Sequence, residues 1–270
     1  MKLKIAQGVA ALIALGAVGT SSASAQVRID AQYALTMAGV AIGKLTWQTR
    51  LSPSDYAIVA NGRITGFLSL LVSGEGKVSV IGQIRDGRPQ PDSFVSMVVR
   101  EDEKVNVRIG FEGSRVRELQ VEEPPLESDR VPIPEAHKVG VIDPLSAFLI
   151  PGGDDPMAAE GCMRTLAMFD GRRRYDLALA FKRTDHIKGD NGARKMALVC
   201  SIKFTPMSGH RSSSQLVKFL AEGRDIEVWL VPVIGTRLLA PVRLSVASLL
   251  GNMVLQATQF ETTALTGAAR

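Results

Sequence analysis

Apolar and polar residues alternate along most of the chain. Val27, Ile29, Ala31, Tyr33, Leu35 and Met37 take every second position, with Arg28, Asp30 and Gln32 among the residues between them. The same period of two recurs at Leu45, Trp47 and Leu51, from Val105 to Phe111, from Tyr175 to Phe181, from Leu198 to Phe204, from Ile226 to Leu230 and from Val242 to Val246. Successive side chains on a strand point to opposite faces, so this spacing predicts half-buried β-strands. Turn dipeptides punctuate the pattern at Asn61-Gly62, Asp86-Gly87, Glu112-Gly113, Asp170-Gly171, Asn191-Gly192 and Glu222-Gly223. Strands joined this tightly predict an antiparallel meander, and the long helical crossovers of parallel units are not visible. So many strands around one core predict a mainly β, single-domain chain whose meander curves into a barrel-like sheet with two short helices.

The first helix is predicted in IDPLSAFLIPGG. Asp143 suits an N-cap and Pro144 the first helical position, Leu145, Phe148 and Leu149 share a face, and Pro151-Gly152-Gly153 stops the run. The second is a stripe of Phe67, Leu68, Leu70 and Leu71, for which a buried strand is the other reading. Such helices pack on the core, plug an open end or line a cavity. Residues 122–138, with four prolines and many charges, are expected to form a surface loop between the two halves of the sheet rather than a domain linker. The domain is expected to span residues 26–260, with 261–270 a frayed tail.

Composition adds a compartment. Lys2 and Lys4 precede an uncharged apolar stretch, Gly8 to Gly19, and Ala23-Ser24-Ala25 offers the small-x-small pattern of signal-peptidase cleavage. Residues 1–25 are therefore read as a signal peptide cut after Ala25, and the mature chain as periplasmic. A membrane anchor is the weaker reading, because the run is short for a bilayer and ends in small and hydroxyl residues. Cleavage lowers the formal charge from +5 to +3. With so little excess charge and few aromatics, nucleic-acid binding is not expected. No later segment is long and apolar enough to serve as a transmembrane helix. Two cysteines, Cys162 and Cys200, in an oxidising compartment predict a disulfide.

One charged stretch calls for an explanation, FDGRRRYDL at residues 169–177. With Asp170-Gly171 as a two-residue hairpin turn, Phe169 pairs with Arg172 and Met168 with Arg173. Met168, Leu166, Tyr175, Leu177, Cys162 and Leu179 then share the core face. Phe169, Ala167, Thr165, Arg172, Arg174 and Asp176 share the solvent face. Arg173 falls at the end of the apolar face. There it either lays its stem on Met168 and lifts its head to water, or anchors an anionic head group at the mouth of a hydrophobic cavity. Arg164, on the same face, needs a partner or solvent.

Taken together, IDPLSAFL, a Cys before MFDGRRRYDL, a second Cys before IKFTPMSGH, then EVWLVP and LLAPVRL resemble an exported bacterial family catalogued as domain-of-unknown-function family three-one-zero-eight. YALTMAGVAIGKLTW is similar to its opening strands. The matching positions are Asp143, Pro144, Cys162, Asp170, Gly171, Arg173, Tyr175, Cys200, Pro206, Gly209, Trp229 and Pro241. The resemblance implies a periplasmic, β-rich, single-domain protein with no established reaction, and a shape similar to periplasmic lipoprotein carriers.

No catalytic motif stands out. His137, His186 and His210 lack metal-ligand spacing, and His137 and His186 sit in stretches expected to be solvated. His210 near Ser212, Ser213 and Ser214 has no nucleophile elbow beside it. Gly74–Lys77, GEGK, lacks the spacing of a phosphate loop and is read as a turn. Glu101-Asp102-Glu103 and Asp154-Asp155 are read as solvated turns. No cofactor or metal is expected. The first expectation is a non-enzymatic periplasmic protein that binds a lipid-like or hydrophobic envelope molecule. The alternative is a structural protein acting through an envelope partner, with Trp47 or Trp229 as contact anchors where exposed, although core packing is the preferred reading of each, and an uncharacterised hydrolase ranks last.

Overall fold

The computed structural model describes residues 26–66, 73–101, 103–123, 129–188, 194–223, 225–248 and 250–265. Among the described residues, fourteen antiparallel strands form one sheet. The first seven are β1 (Gln26–Met37), β2 (Val40–Leu51), β3 (Asp55–Ile64), β4 (Gly74–Arg85), β5 (Arg88–Arg100), β6 (Glu103–Glu112) and β7 (Arg115–Glu122). After a long connection come β8 (Ile150–Pro151), β9 (Arg164–Phe169), β10 (Arg174–Lys188), β11 (Arg194–Ser208), β12 (Ile226–Pro232), β13 (Leu238–Ser248) and β14 (Gly251–Leu265). The main path runs β7-β6-β5-β4-β3-β2-β1-β14-β13-β12-β11-β10-β9, and β8 pairs with β13 off that path.

The two halves are thus meanders that meet where β1 pairs with β14. That pairing reaches Gln26 opposite Leu265, so residues 261–265 are strand rather than tail. The sheet does not close: β7 and β9 are its two edges. A strap at residues 139–142 runs between them. Val141 N–H donates to Ser114 O at 2.9 Å, Ile142 N–H to Ala167 O at 2.9 Å, and Phe169 N–H to Ile142 O at 2.9 Å.

The alternation predicted from sequence sets the inner face of the first half. Val27, Ile29, Ala31 and Tyr33 on β1, Trp47 on β2, Ile58 on β3, Val80 on β4, Phe94 on β5 and Ile109 on β6 are buried in one cluster. The second half departs from strict alternation. Ala197 and Val199 join that cluster, while Leu198, Cys200 and Ile202 on the same strand join a second one with Leu179, Val228 and Leu230. Strands covered on both faces read as continuous apolar runs, which is the pattern of MALVCSI. The second cluster is completed by Met157 and Cys162 from the connection before β9 and by Leu220 of helix α1 (Gln215–Ala221).

Several sequence expectations change here. Asn61-Gly62 and Gly74–Lys77 are not turns; they lie within β3 and β4. Asp86-Gly87, Glu112-Gly113 and Glu222-Gly223 do fall at turns. Asn191-Gly192 and the stripe at Phe67–Leu71 lie outside the described residues. The helix predicted from Asp143 is only a 3₁₀ turn at Ser146–Phe148, and α1 was not foreseen. The stretch expected to be a surface loop is tied down in its described part. Val131 N–H donates to His210 O at 3.0 Å, Gly209 N–H to Val131 O at 2.8 Å, and Glu135–Lys138 forms a 3₁₀ turn.

Candidate ligand-binding cavity

The connection from Asp143 to Ile150 enters the barrel-like sheet as a plug. Its start is held by Asp143, whose Oδ1 accepts N–H groups from Leu145 at 2.9 Å and Ser146 at 3.0 Å, the cap that sequence predicts. The Ser146 hydroxyl lies 2.6 Å from Tyr56 Oη, which ties the plug to β3. Asp143 is fully buried and its Oδ2 has no hydrogen-bond partner. Burial pushes its carboxyl up to about 6, against the hydrogen bonds from Ser146 and Leu145 that pull it down.

That shift gives a measurable pH dependence. From about pH 4 to about pH 6 the folded chain keeps a proton on Asp143 that the unfolded chain has lost, so this group's contribution falls as pH rises through that window and is flat above it. Asp143→Asn keeps an oxygen for the two N–H groups but does not titrate. Denaturant melts across the window should show wild type losing stability relative to Asp143→Asn, on the order of 3 kcal/mol in all. A constant difference between the two proteins would show that Asp143 is not the titrating group.

Between the plug and the strands lies an apolar cavity of about 110 Å³. Tyr33, Trp47 and Ala60 wall it on one side, Phe148 on the plug, and Leu179 and Val228 on the other side. Trp47 is the hub, with ring centroids 6.1 Å from Phe148, 6.4 Å from Phe260 and 6.5 Å from Tyr33. Among the described residues that wall it, the charged one is Arg243. Its guanidinium sits 4.8 Å from the Trp229 ring centroid and donates to Gln256 Oε1 at 3.2 Å. Sequence reasoning missed Arg243, because it alternates with Val242 and Leu244 and so reads as solvent-facing.

The cavity shares the walls Leu45, Ala60 and Leu255 with a wider groove of about 440 Å³ that opens toward solvent. The floor of this groove is made by the glycines mistaken for turn residues. Gly62 pairs with Leu45 on β2 and with Gly76 on β4, and Gly76 pairs with Val98 on β5.

The arginine turn lies elsewhere. Phe169 pairs with Arg174 and Met168 with Tyr175, two residues from the predicted register. A shift of two keeps each side chain on its face, but it lifts Arg172 and Arg173 out of the ladder. The cause is Asp170, whose Oδ1 accepts N–H groups from Arg172 at 2.9 Å and Arg173 at 2.6 Å and so widens the turn to Asp170–Arg173. Arg173 is therefore exposed, 3.9 Å from Asp170, and is not a cavity anchor. Arg172, expected in solvent, is half-buried and ion-paired with Glu123 just beyond β7. Arg174 bonds Asp176 at 2.6 Å. Phe169, placed on the solvent face by sequence, is fully buried in the first cluster. Arg164 donates to Gly161 O at 3.1 Å and Glu160 O at 3.3 Å.

Other expected site residues resolve as follows. Cys162 and Cys200 are disulfide-bonded and both fully buried. Trp47 and Trp229 are 1% and 7% exposed and sit in the first cluster, so they pack the core, the preferred reading of each, and are not contact anchors. His137, expected in solvent, is half-buried, with Nδ1 2.8 Å from the Ser208 hydroxyl. That Ser–His pair differs from the one near His210, and Ser208 is buried, so its hydroxyl is sealed from any substrate in this conformation. Among the described residues, no group of three His, Cys, Asp or Glu side chains could hold a metal ion. No described helix is long and apolar enough to cross a membrane.

The sequence profile of one family, described as Protein of unknown function (DUF3108), matches residues 32–258. The chain belongs to the DUF3108 family. The positions that carried the resemblance have structural work in this DUF3108 fold. Asp143 caps the plug and Pro144 follows it. Gly171 lets the turn approach Val107 on β6, Tyr175 stacks on Phe204 with centroids 5.6 Å apart, and Pro206 is its neighbour across β10 and β11. Trp229 donates to Asp185 at 2.9 Å, and the carbonyl of Pro241 accepts the Tyr33 hydroxyl at 2.7 Å. The DUF3108 chain also resembles a solved structure, a beta-barrel-like protein of domain of unknown function DUF1849 from Brucella abortus. The two share 10% identity over 89% of this chain and 98% of that one, with a TM-score of 0.51, a likeness of fold alone. No curated protein matches.

Proposed function

We propose that this protein is a non-enzymatic binding protein of the periplasm that holds a lipid-like or other hydrophobic envelope molecule. The observation that carries the reading is the apolar cavity sharing walls with a groove open to solvent. A filled core has no reason to keep such space, since each void forfeits packing energy. The signal-peptide pattern at the N-terminus and the disulfide between Cys162 and Cys200 support the compartment.

The test is to recover the full-length protein from periplasm and weigh it under native conditions, then extract it with organic solvent. A co-purifying apolar molecule, released on denaturation, is the expected result. Protein that is empty by both measurements, and stays empty after incubation with total envelope lipid extract, would overturn the reading.

A further inference from the structure

We infer that the groove seats a single unbranched hydrocarbon chain along the glycine floor of Gly62 and Gly76, with an anionic head group at Arg100. This rests on the binding reading above and specifies its ligand class.

Glycine inside a strand weakens it, by about 0.5–1 kcal/mol relative to alanine, and needs a reason. Backbone conformation supplies none here, since neither Gly62 nor Gly76 has a positive φ. Crowding supplies none either. A Cβ on Gly62 would lie 3.8 Å from Lys44 O and 3.9 Å from Leu45, and one on Gly76 3.6 Å from Met97 O and from Val98, all ordinary contacts. The fold would accept side chains at both positions. Their absence leaves a bare strip two strands wide between Leu45 and Val98, with strands about 4.8 Å apart. After the walls' own side chains, that width suits one extended chain better than fused rings.

The axis of the groove is marked by cross-strand rows. At the deep end Trp47 pairs with Ala60 and Ala60 with Val78, beside the apolar cavity. The glycine row follows, and one row further out Gly43 pairs with Ile64 and Gly74 with Arg100. Arg100 alternates with Val98 on the groove face of β5 and is exposed. Lys44, Arg63 and Glu75 occupy the row between, so their side chains leave from the opposite face of the sheet, and the acidic residue on the groove face is Glu103, opposite Arg100 on β6. Arg100 has no ion-pair partner among the described residues, Glu103 included. An apolar trough with an exposed arginine free of any ion pair at its mouth complements an amphiphile with an anionic end.

The probes are palmitate and its uncharged analogue hexadecanol, titrated calorimetrically into full-length mature protein. Gly76→Val places a β-branched side chain in the trough. It should weaken both probes by about tenfold or more while the melting temperature holds or rises, a sign opposite to misfolding. Gly62→Ala, the smaller intrusion, should weaken them less. Arg100→Glu should weaken palmitate by about fivefold and leave hexadecanol unchanged. Wild-type affinity in a folded Gly76→Val protein removes the chain from the glycine floor, and an unchanged palmitate affinity in Arg100→Glu removes the anionic head group. Wild type that binds neither probe also overturns this inference, whereas the broader binding reading falls only if protein from periplasm is empty and stays empty after incubation with total envelope lipid extract.

Discussion

Replacing Cys162 and Cys200 together by alanine is expected to cost the fold about 4 kcal/mol, the chain-entropy value for a cross-link whose ends are 38 residues apart. The location argues for the full value. Both sulfurs are fully buried in the second apolar cluster, where the link ties the connection before β9 to the centre of β11. Among the described residues, what else holds that connection to the sheet includes Met157 in the same cluster and the Gly152 N–H donating to Arg237 O at 2.7 Å. For a chain of this size about 1 kcal/mol moves the melting temperature by roughly 2–4 °C, so a drop of about 8–16 °C is expected by calorimetry. Alanine avoids leaving a hydroxyl without a partner in an apolar site, which serine would do. Intact protein should present no thiol to a labelling reagent until it is unfolded and reduced. A melting point within about 2 °C of wild type would show that the connection is held without the cross-link.

Gly209→Ala is the second large effect, expected at about 2–5 kcal/mol. Gly209 has φ +77°, which costs a residue with a Cβ about 1–2 kcal/mol. Its Cβ would also collide with the carbonyl oxygen of Arg172 and lie 2.9 Å from Arg173 Cα. Those are backbone atoms, so no rotamer change relieves them, and overpacking of this kind costs about 1–3 kcal/mol more. The strain falls on a junction. Arg130 donates to Gly209 O at 2.8 Å, Gly209 N–H donates to Val131 O, and Arg172 reaches across to Glu123 beyond β7. Gly223→Ala is the matched control, with φ +78° and nothing within 4 Å of its added Cβ. Urea melts should show Gly223→Ala losing only the conformational part. Equal losses in the two proteins would mean that the close approach at Gly209 contributes nothing.

These two predictions stand on residues that sequence picked out, yet for different reasons than sequence supplied. Gly209 entered as a position of resemblance, without a role. Its role depends on a backbone more than thirty positions away in the chain, which no local pattern encodes. Arg173 shows the converse. Period-two reasoning assigned the faces of Met168, Leu166 and Leu177 correctly, because a register shift of two leaves faces unchanged. It misplaced Arg172 and Arg173, because the Asp170 side chain competes with the ladder for their N–H groups.

What the sequence by itself determined is what acts over a few residues. Alternation assigned strands and inner faces across β1, β2 and β6, since each side chain's face follows from its neighbour's. Asp143 marked the cap of the plug, and the pairing of two cysteines was expected from their number and from the export pattern at the N-terminus. Tertiary structure alone decided which elements meet. It set β1 beside β14, ran the strap at residues 139–142 between two edges, and covered β11 and β12 on both faces, so that Arg243 came to wall a cavity instead of facing water. It also decided what the glycines mean. Asn61-Gly62 and Gly74–Lys77 carry the letters of turns, but their backbone pairs across β2 to β5. Glycine is permissive in either state, so its sequence context cannot say whether it turns the chain or bares a floor; that depends on the strands that pair with it.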